Sequence, residues 1–316
     1  MEIWLTQQKA VKIIQIFLII VMFVLIGYYI YSNKSDFEVI FEINKTSFAH
    51  FLILMLITSF FNAAQNAVLI RSLGIPFSNL ESFGLSNISA LVNLILPQGI
   101  TVTKAVYLKH RYAVPYSKFS ALFLGVLVIF LLIGASLMAL TNILAILRGI
   151  EVPGILWIGS VAGAASSLLF FFDFPKKYFG KFGKVGALIE SFSDGWTELR
   201  LNRSCLIKAC LWQIAIFISS GMGITLAYRS IGVDIDPTLG VSLSVFISFS
   251  NLVAIIPFNF GIQEVIYGYL TYLSGLMFFQ GVVISTLMRV VGLSIPLLIA
   301  PFSWYFLFFR RGIKLR

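Results

Sequence analysis

Apolar runs long enough to cross a bilayer recur along the whole 316-residue chain. A hydrocarbon core asks for about 20 such residues per helix. Runs of that kind read as spanning helices over 11–31, 46–70, 117–142, 152–172, 205–231 and 277–309. The last carries Pro296 and Pro301, so it is expected to kink or tilt. Because the runs are continuous rather than short and alternating, a transmembrane β-barrel is excluded. Composition agrees: 59% of residues are hydrophobic and 11% charged, against about a quarter charged in soluble domains. The expected fold class is all-α, a polytopic transmembrane helix bundle forming one integral membrane domain over 1–316. No room remains for a separate soluble catalytic domain. The 11–31 run is too long for a signal-peptide core and lacks a small-residue cleavage site, so it reads as a membrane anchor.

Two apolar stretches, 77–116 and 237–275, do not read as simple spans. The first contains LVNLILPQGITVTKAVYL and the second NLVAIIPFNFGIQEVIYGYL. In each, an apolar run ends in Leu-Pro or Ile-Pro, a glycine-containing break follows, and a charged residue stands seven positions after the proline. The pairs are Pro97 with Lys104 and Pro257 with Glu264, an offset of 160 residues. Broken hydrophobic segments at matching places in two halves point to a transporter-like binding site between inverted repeats. The plainer reading is two ordinary helices with proline kinks. Irregular backbone at membrane depth is tolerated only where protein or a water-filled cavity satisfies it, so both breaks are expected to face an interior cavity.

Basic residues test this arrangement. With the N-terminus cytoplasmic and both broken segments re-entrant, 18 of the 23 Lys and Arg residues fall on the cytoplasmic side. Both termini are then cytoplasmic, in a multi-pass protein of the cell membrane. The first hairpin dips from inside and the second from outside. Approximate halves 1–172 and 205–316 are joined by a connector over 173–204. Within it Val185, Leu188, Ile189, Phe192, Trp196 and Leu199 share one helical face, as in an amphipathic helix lying at the interface. The net charge of +10 is thus a record of membrane orientation and not a nucleic-acid footprint.

Few residues here could carry chemistry. A charge at mid-membrane costs about 2.5–3.5 kcal/mol on insertion scales, which singles out Glu264 and Arg289. Paired, each offsets much of the other's cost. The pair is either a lock between the second hairpin and the last helix or part of a headgroup site. Lys104, with Lys109, His110, Arg111 and Lys118, makes a cationic rim suited to phosphate. Most of that rim is explained as an ordinary positive-inside loop; Lys104 alone stands close to the break. Gly99, Gly261, Asn259 and Gln263 complete the candidate substrate-binding set at the two breaks. Asn62, Gln65 and Asn66 form a polar face on the second span, and Gly159 with Gly163 reads as helix packing. Cys205 and Cys210 read as packing residues. No metal, cofactor or nucleophile constellation is visible, so no catalytic residue, metal or cofactor is assigned.

At these stretches the chain resembles the lysylphosphatidylglycerol synthase transmembrane-region family, also called flippase-like domain proteins. The resemblance rests on LPQGITVTKAVYLKHRYAVPYSKF (96–119), on GIQEVIYGYL (261–270) and on Arg289. It implies a bundle that moves, or helps move, lipids with a polar headgroup between leaflets, with Gly261, Glu264 and Arg289 at the family's second motif. The implied partners are a phospholipid or lipid-linked saccharide and the surrounding membrane lipids, with homo-oligomers left open. Aminoacyl transfer belongs to a separate soluble domain in bifunctional members, and this reading does not carry it over. The main rival is a polyprenyl-phosphate-dependent glycosyltransferase with Asp36 and Glu38 as its acidic pair. A third reading is a proton-coupled secondary transporter using Glu264.

Overall fold

The computed structural model describes residues 28, 31, 42–96, 98–171, 201–253, 259 and 261–309. The expected span over 11–31, most of the connector, and Pro97, Pro257, Asp36 and Glu38 lie outside these. Helices α1 (Lys45–Arg71), α2 (Asn79–Ile95), α3 (Gly99–Tyr112) and α4 (Tyr116–Leu147) come first. After α5 (Gly154–Phe171) follow α6 (Arg203–Ser230), α7 (Pro237–Ser250), α8 (Ile262–Leu273) and α9 (Phe278–Trp304). No strand occurs among the described residues. Lys45–Arg71, Lys118–Leu147, Arg203–Ser230 and Phe278–Leu307 are long and apolar enough to cross a membrane. The expected span over 117–142 extends to Leu147, and the last helix runs through Pro296 and Pro301 before widening into a π turn at Tyr305–Phe309. Such a turn just beyond a proline, which offers no amide to the ladder, is a usual local response.

Eight of these helices form two sets of four, with α5 between the sets. Starts at 45, 79, 99 and 116 recur at 203, 237, 262 and 278, spacings of 158, 158, 163 and 162 residues. Local chemistry recurs with them. Asn44 caps α1 by accepting from the Ser47 amide, and Asn202 caps α6 by accepting from the Cys205 amide. Ser78 and Asp236 do the same for α2 and α7. Each satisfies a helix-end amide that would otherwise lack a partner, which is what starts these helices where they start. Gly74 and Gly232, at φ +78°, end α1 and α6. Both kinds of signal repeat at 158 residues before the break. After it, the left-handed caps Ala113 and Gly275 repeat at 162. The second break is therefore about four residues longer. Lys104 and Glu264, equivalent at an offset of 160, are not equivalent in helix register: Lys104 stands in the second turn of α3 and Glu264 in the first turn of α8.

Contacts fix how the sets face each other. Val68 meets Cys205, Gln65 meets Gln213, Thr58 meets Ser219, and Asn44 meets Ser230. As one number rises the other falls, so α1 and α6 are antiparallel. Helix α4 runs antiparallel to α7 by the same test, from Gly134 beside Phe249 to Arg148 beside Asp236. Lipid is as apolar as leucine, so burial alone gives helices little reason to associate; close backbone approach and polar contacts do so instead. A Cβ on Gly221 would meet the backbone of Val241, and one on Gly240 the Thr225 hydroxyl, so α6 and α7 touch only because both are glycine. Thr141, Asn142 and Ser242 form a buried hydrogen-bonded trio across α4 and α7. Gly159 packs on Phe246 and Gly163 on Phe249, the packing role expected of them. Cys205 and Cys210 are free thiols, with Cys205 buried against α1.

Candidate functional site

Helices α2 and α3 form an antiparallel hairpin. A Cβ on Gly99 would lie 2.7 Å from the Val92 carbonyl carbon and the Asn93 amide, so the turn is pressed flat on the helix before it. Gln98, which precedes it, takes the left-handed conformation at φ 61°. At the other end the buried Glu81 carboxylate gathers α3 onto α2. Its Oε1 accepts from the Tyr107 hydroxyl at 2.6 Å and the Tyr112 hydroxyl at 2.8 Å, and lies 3.1 Å from Arg111 Nε. This base sits at the α1 C-terminus, where Arg71 donates to Asn79 and Ser82 donates to the Ala63 carbonyl.

Helices α7 and α8 make the second hairpin, with its base at the opposite end of the α1–α6 pair. There Tyr228 and Thr271 share a hydrogen bond, and Gly240 lies against Gly221 and Thr225. Its break is long and held by side chains. Asn251 Oδ1 accepts from Asn259 Nδ2 at 3.0 Å and from Gln263 Nε2 at 2.7 Å. Asn259 is buried at φ 49° and Gly261 stands at φ 81°. Glu264 Oε2 accepts the Gly261 amide at 2.7 Å, while Oε1 lies 2.8 Å from Arg289 Nη2 on α9. Both side chains of that pair are below a tenth exposed. Arg289 Nη2 also reaches Gln263 Oε1 at 3.3 Å and the Asn259 carbonyl at 3.5 Å. One carboxylate thus caps a helix and anchors a cation, a reason for its presence in an otherwise apolar segment.

A cavity of about 360 Å³ lies among α1, α4, α6 and the end of α7. Asn62, Gln65 and Asn66 of α1 face Gln213 and Ser220 of α6, and Ser248 and Leu252 bring in the end of α7. A smaller space of about 70 Å³ shares Asn66, Phe123 and Val126 with it and reaches Ile100, Thr101 and Lys104 of the first hairpin. One arm of each hairpin thus borders one of two neighbouring spaces, the end of α7 the larger and α3 the smaller. Of the expected site residues, Lys104 lines the smaller space directly. Glu264, Arg289, Asn259, Gln263 and Gly261 come together in the network beside Asn251, next along the chain to Leu252. Gly99 is sealed against α2, so its role is the close turn rather than contact with a bound molecule.

Glu81 is not among the site residues expected from the sequence. The available signal was Ser78-Asn79-Leu80-Glu81, the spacing of a helix-starting cap, with its acid at the head of an apolar helix. Arg111 was read as part of a basic rim, yet it belongs to the Glu81 cluster. A second, open groove of about 770 Å³ runs between α2 and α9 and is lined by Glu81, Gly84, Phe302 and Ser303.

Fold and site together define a membrane helix bundle built from two sets of helices, with neighbouring spaces each bordered by one arm of a hairpin. The chain belongs to the lysylphosphatidylglycerol synthase transmembrane-region family, whose model matches residues 12–300. No curated protein and no solved structure matches it.

Proposed function

We propose that the chain moves, or helps move, a lipid with a polar, phosphate-bearing headgroup between the leaflets of the cell membrane. The carrying observation is the pair of neighbouring spaces, each bordered by one arm of a hairpin, in a family associated with lipids. In this reading the hairpins are re-entrant from opposite faces, because their bases lie at opposite ends of the antiparallel α1–α6 pair. Both termini lie on the cytoplasmic side in this reading, which the distribution of basic residues supports. Acyl chains stay in lipid while the headgroup passes through the space. Lys104 contacts the phosphate as a point charge. Glu264 holds Arg289 at the second tip, and Arg289 takes the phosphate when that tip opens, its planar guanidinium suiting two oxygens at once. Asn259, Gly261 and Gln263 shape that tip, and Gly99 shapes the first.

The test is headgroup exposure on the far leaflet of proteoliposomes, read per unit of inserted protein, for Lys104→Ala, Glu264→Gln and Arg289→Lys. Each is expected to lower the rate by about tenfold, the worth of one charge-assisted hydrogen bond. Unchanged rates for all three at normal abundance would overturn the reading.

A further inference from the structure

The lining of the two neighbouring spaces is selective about what they can hold. Asn62, Gln65, Asn66 and Gln213 supply amides, and Thr58, Ser220 and Ser248 supply hydroxyls. Among the described lining residues of both spaces, Lys104 is the one with an ionisable side chain. Glu81 and Glu264, the buried carboxylates of the two hairpins, both lie outside this lining and are engaged in their own ion pairs. A headgroup carrying an amine would find no counter-charge, and an unpaired charge is costly to hold in such a place.

We infer that the cavity accepts an uncharged polyhydroxyl headgroup joined to a phosphate: a sugar or glycerol phosphate, rather than an aminoacylated or other cationic one. This rests on the translocation reading above and narrows its substrate class. An amide both donates and accepts, as a hydroxyl does, so a wall of amides matches vicinal hydroxyls at either polarity. Capacity is available. Asn62 Nδ2 donates to the Thr58 carbonyl at 3.0 Å and Asn66 Nδ2 to the Asn62 carbonyl at 2.7 Å, one hydrogen of each amide. The second hydrogen and the side-chain oxygen of each remain for a bound molecule. Gln65 donates to Gln213 Oε1 at 2.9 Å and holds that amide in place. Phe123, Phe130 and Phe217 give the same space flat apolar walls, which suit the C–H face of a sugar ring as amides suit its rim. The smaller space then sets the phosphate toward Lys104 and Thr101. The order of groups is hydroxyls in the wide chamber and phosphate in the smaller space.

The experiment is binding of four short-chain probes to the full chain in detergent, alongside translocation of the long-chain lipids. The probes are citronellyl phosphoglucose, dioctanoyl phosphatidylglycerol, its lysyl ester, and bare citronellyl phosphate. The first two are expected to bind at least about tenfold more tightly than the lysyl ester, whose ammonium groups find no counter-charge in the lining. A preference between them distinguishes a sugar from a glycerol source. Asn62→Leu with Gln213→Leu, at two positions that line the wide chamber alone, should reduce binding of the hydroxylated probes about tenfold and leave bare citronellyl phosphate unchanged. Lys104→Ala should weaken all the anionic probes. Asn62→Ala alone, at an exposed position of the cavity wall, gives the same test if the double variant does not fold. Equal or tighter binding of the lysyl ester would overturn this inference and leave the translocation reading standing. Translocation of none of the lipids would overturn that reading instead. Loss of bare phosphate binding in the leucine variants, in step with the hydroxylated probes, would also overturn the assignment of the amides.

Discussion

Both hairpins carry a buried carboxylate–guanidinium pair, and the two pairs are placed at opposite ends of their hairpins. Glu81 and Arg111 sit at the base of the first and join its two helices to each other. Glu264 and Arg289 sit at the tip of the second and join it to a helix outside the hairpin. Glu81 is further supported by two tyrosine hydroxyls, and Arg111 is 22% exposed, so that charge keeps a route to water. Arg289 is 8% exposed and depends far more on its carboxylate. The same chemistry therefore does two mechanical jobs. The first hairpin is a closed unit, clasped at its base and pressed flat at Gly99. The second has a longer break, bridged by side chains, and leans on α9. In the proposed translocation, a tip that opens for a lipid is better held by replaceable side-chain contacts than by backbone packing.

This contrast can be broken in several ways, with Glu264→Ala expected to have the largest effect. It removes the carboxylate that faces a buried guanidinium and should cost about 3–5 kcal/mol, seen as a lowered unfolding temperature in detergent. Glu264→Leu combined with Arg289→Leu should recover most of that loss, since removing both charges is far milder than removing one. Glu81→Leu should cost less, about 1–3 kcal/mol, and should raise hydrogen exchange along α3 rather than α8. Equal losses from both single changes would erase the distinction between base and tip. Gly99→Ala and Gly261→Ala follow. The first forces a Cβ into backbone and should cost about 1–3 kcal/mol; the second places a side chain at positive φ, for about 1–2 kcal/mol.

The smallest effect lies outside the spans, at Asp236. Burial opposes ionisation of its carboxyl, but bonds from the Thr238 hydroxyl and amide and from Arg148 prevail, holding it below the usual carboxylate range. A group with a depressed folded value stabilises above its ordinary value, and that contribution is lost as pH falls through the folded one. Asp236→Asn should thus lower stability by less than about 1 kcal/mol at neutral pH. The gap to the parent chain should narrow only below about pH 4.

Much of this was legible in the residues. Spans with long apolar runs declare themselves, because lipid tolerates little else; four of the expected spans recur as long apolar helices with ends shifted by a few residues. The repeat was also visible at Pro97 and Pro257, though a single spacing of 160 averaged two. The caps Asn44 and Asn202, or Ser78 and Asp236, carry the true spacing of 158, and Ala113 with Gly275 carries 162. Glu264 and Arg289 could be paired because two buried charges so near in sequence have few other partners. Glu81 escaped because its partners, Tyr107, Arg111 and Tyr112, lie across the hairpin. A capping glutamate and a basic loop both had adequate local explanations. The cavity was expected, but its amide lining is set by the antiparallel seating of α1 on α6, which no local pattern states.

In the proposed function the two hairpins enter from opposite faces and each returns to the face it came from. Single cysteines at the exposed hairpin ends test it most directly, in a background lacking Cys205 and Cys210: Pro76→Cys and His110→Cys for the first hairpin, Asp234→Cys and Met277→Cys for the second. An impermeant thiol reagent applied to sealed vesicles of known orientation should label the first two from the cytoplasmic side and the last two from the other. Labelling of Pro76→Cys and His110→Cys from opposite sides, or of all four from one side, would contradict the account.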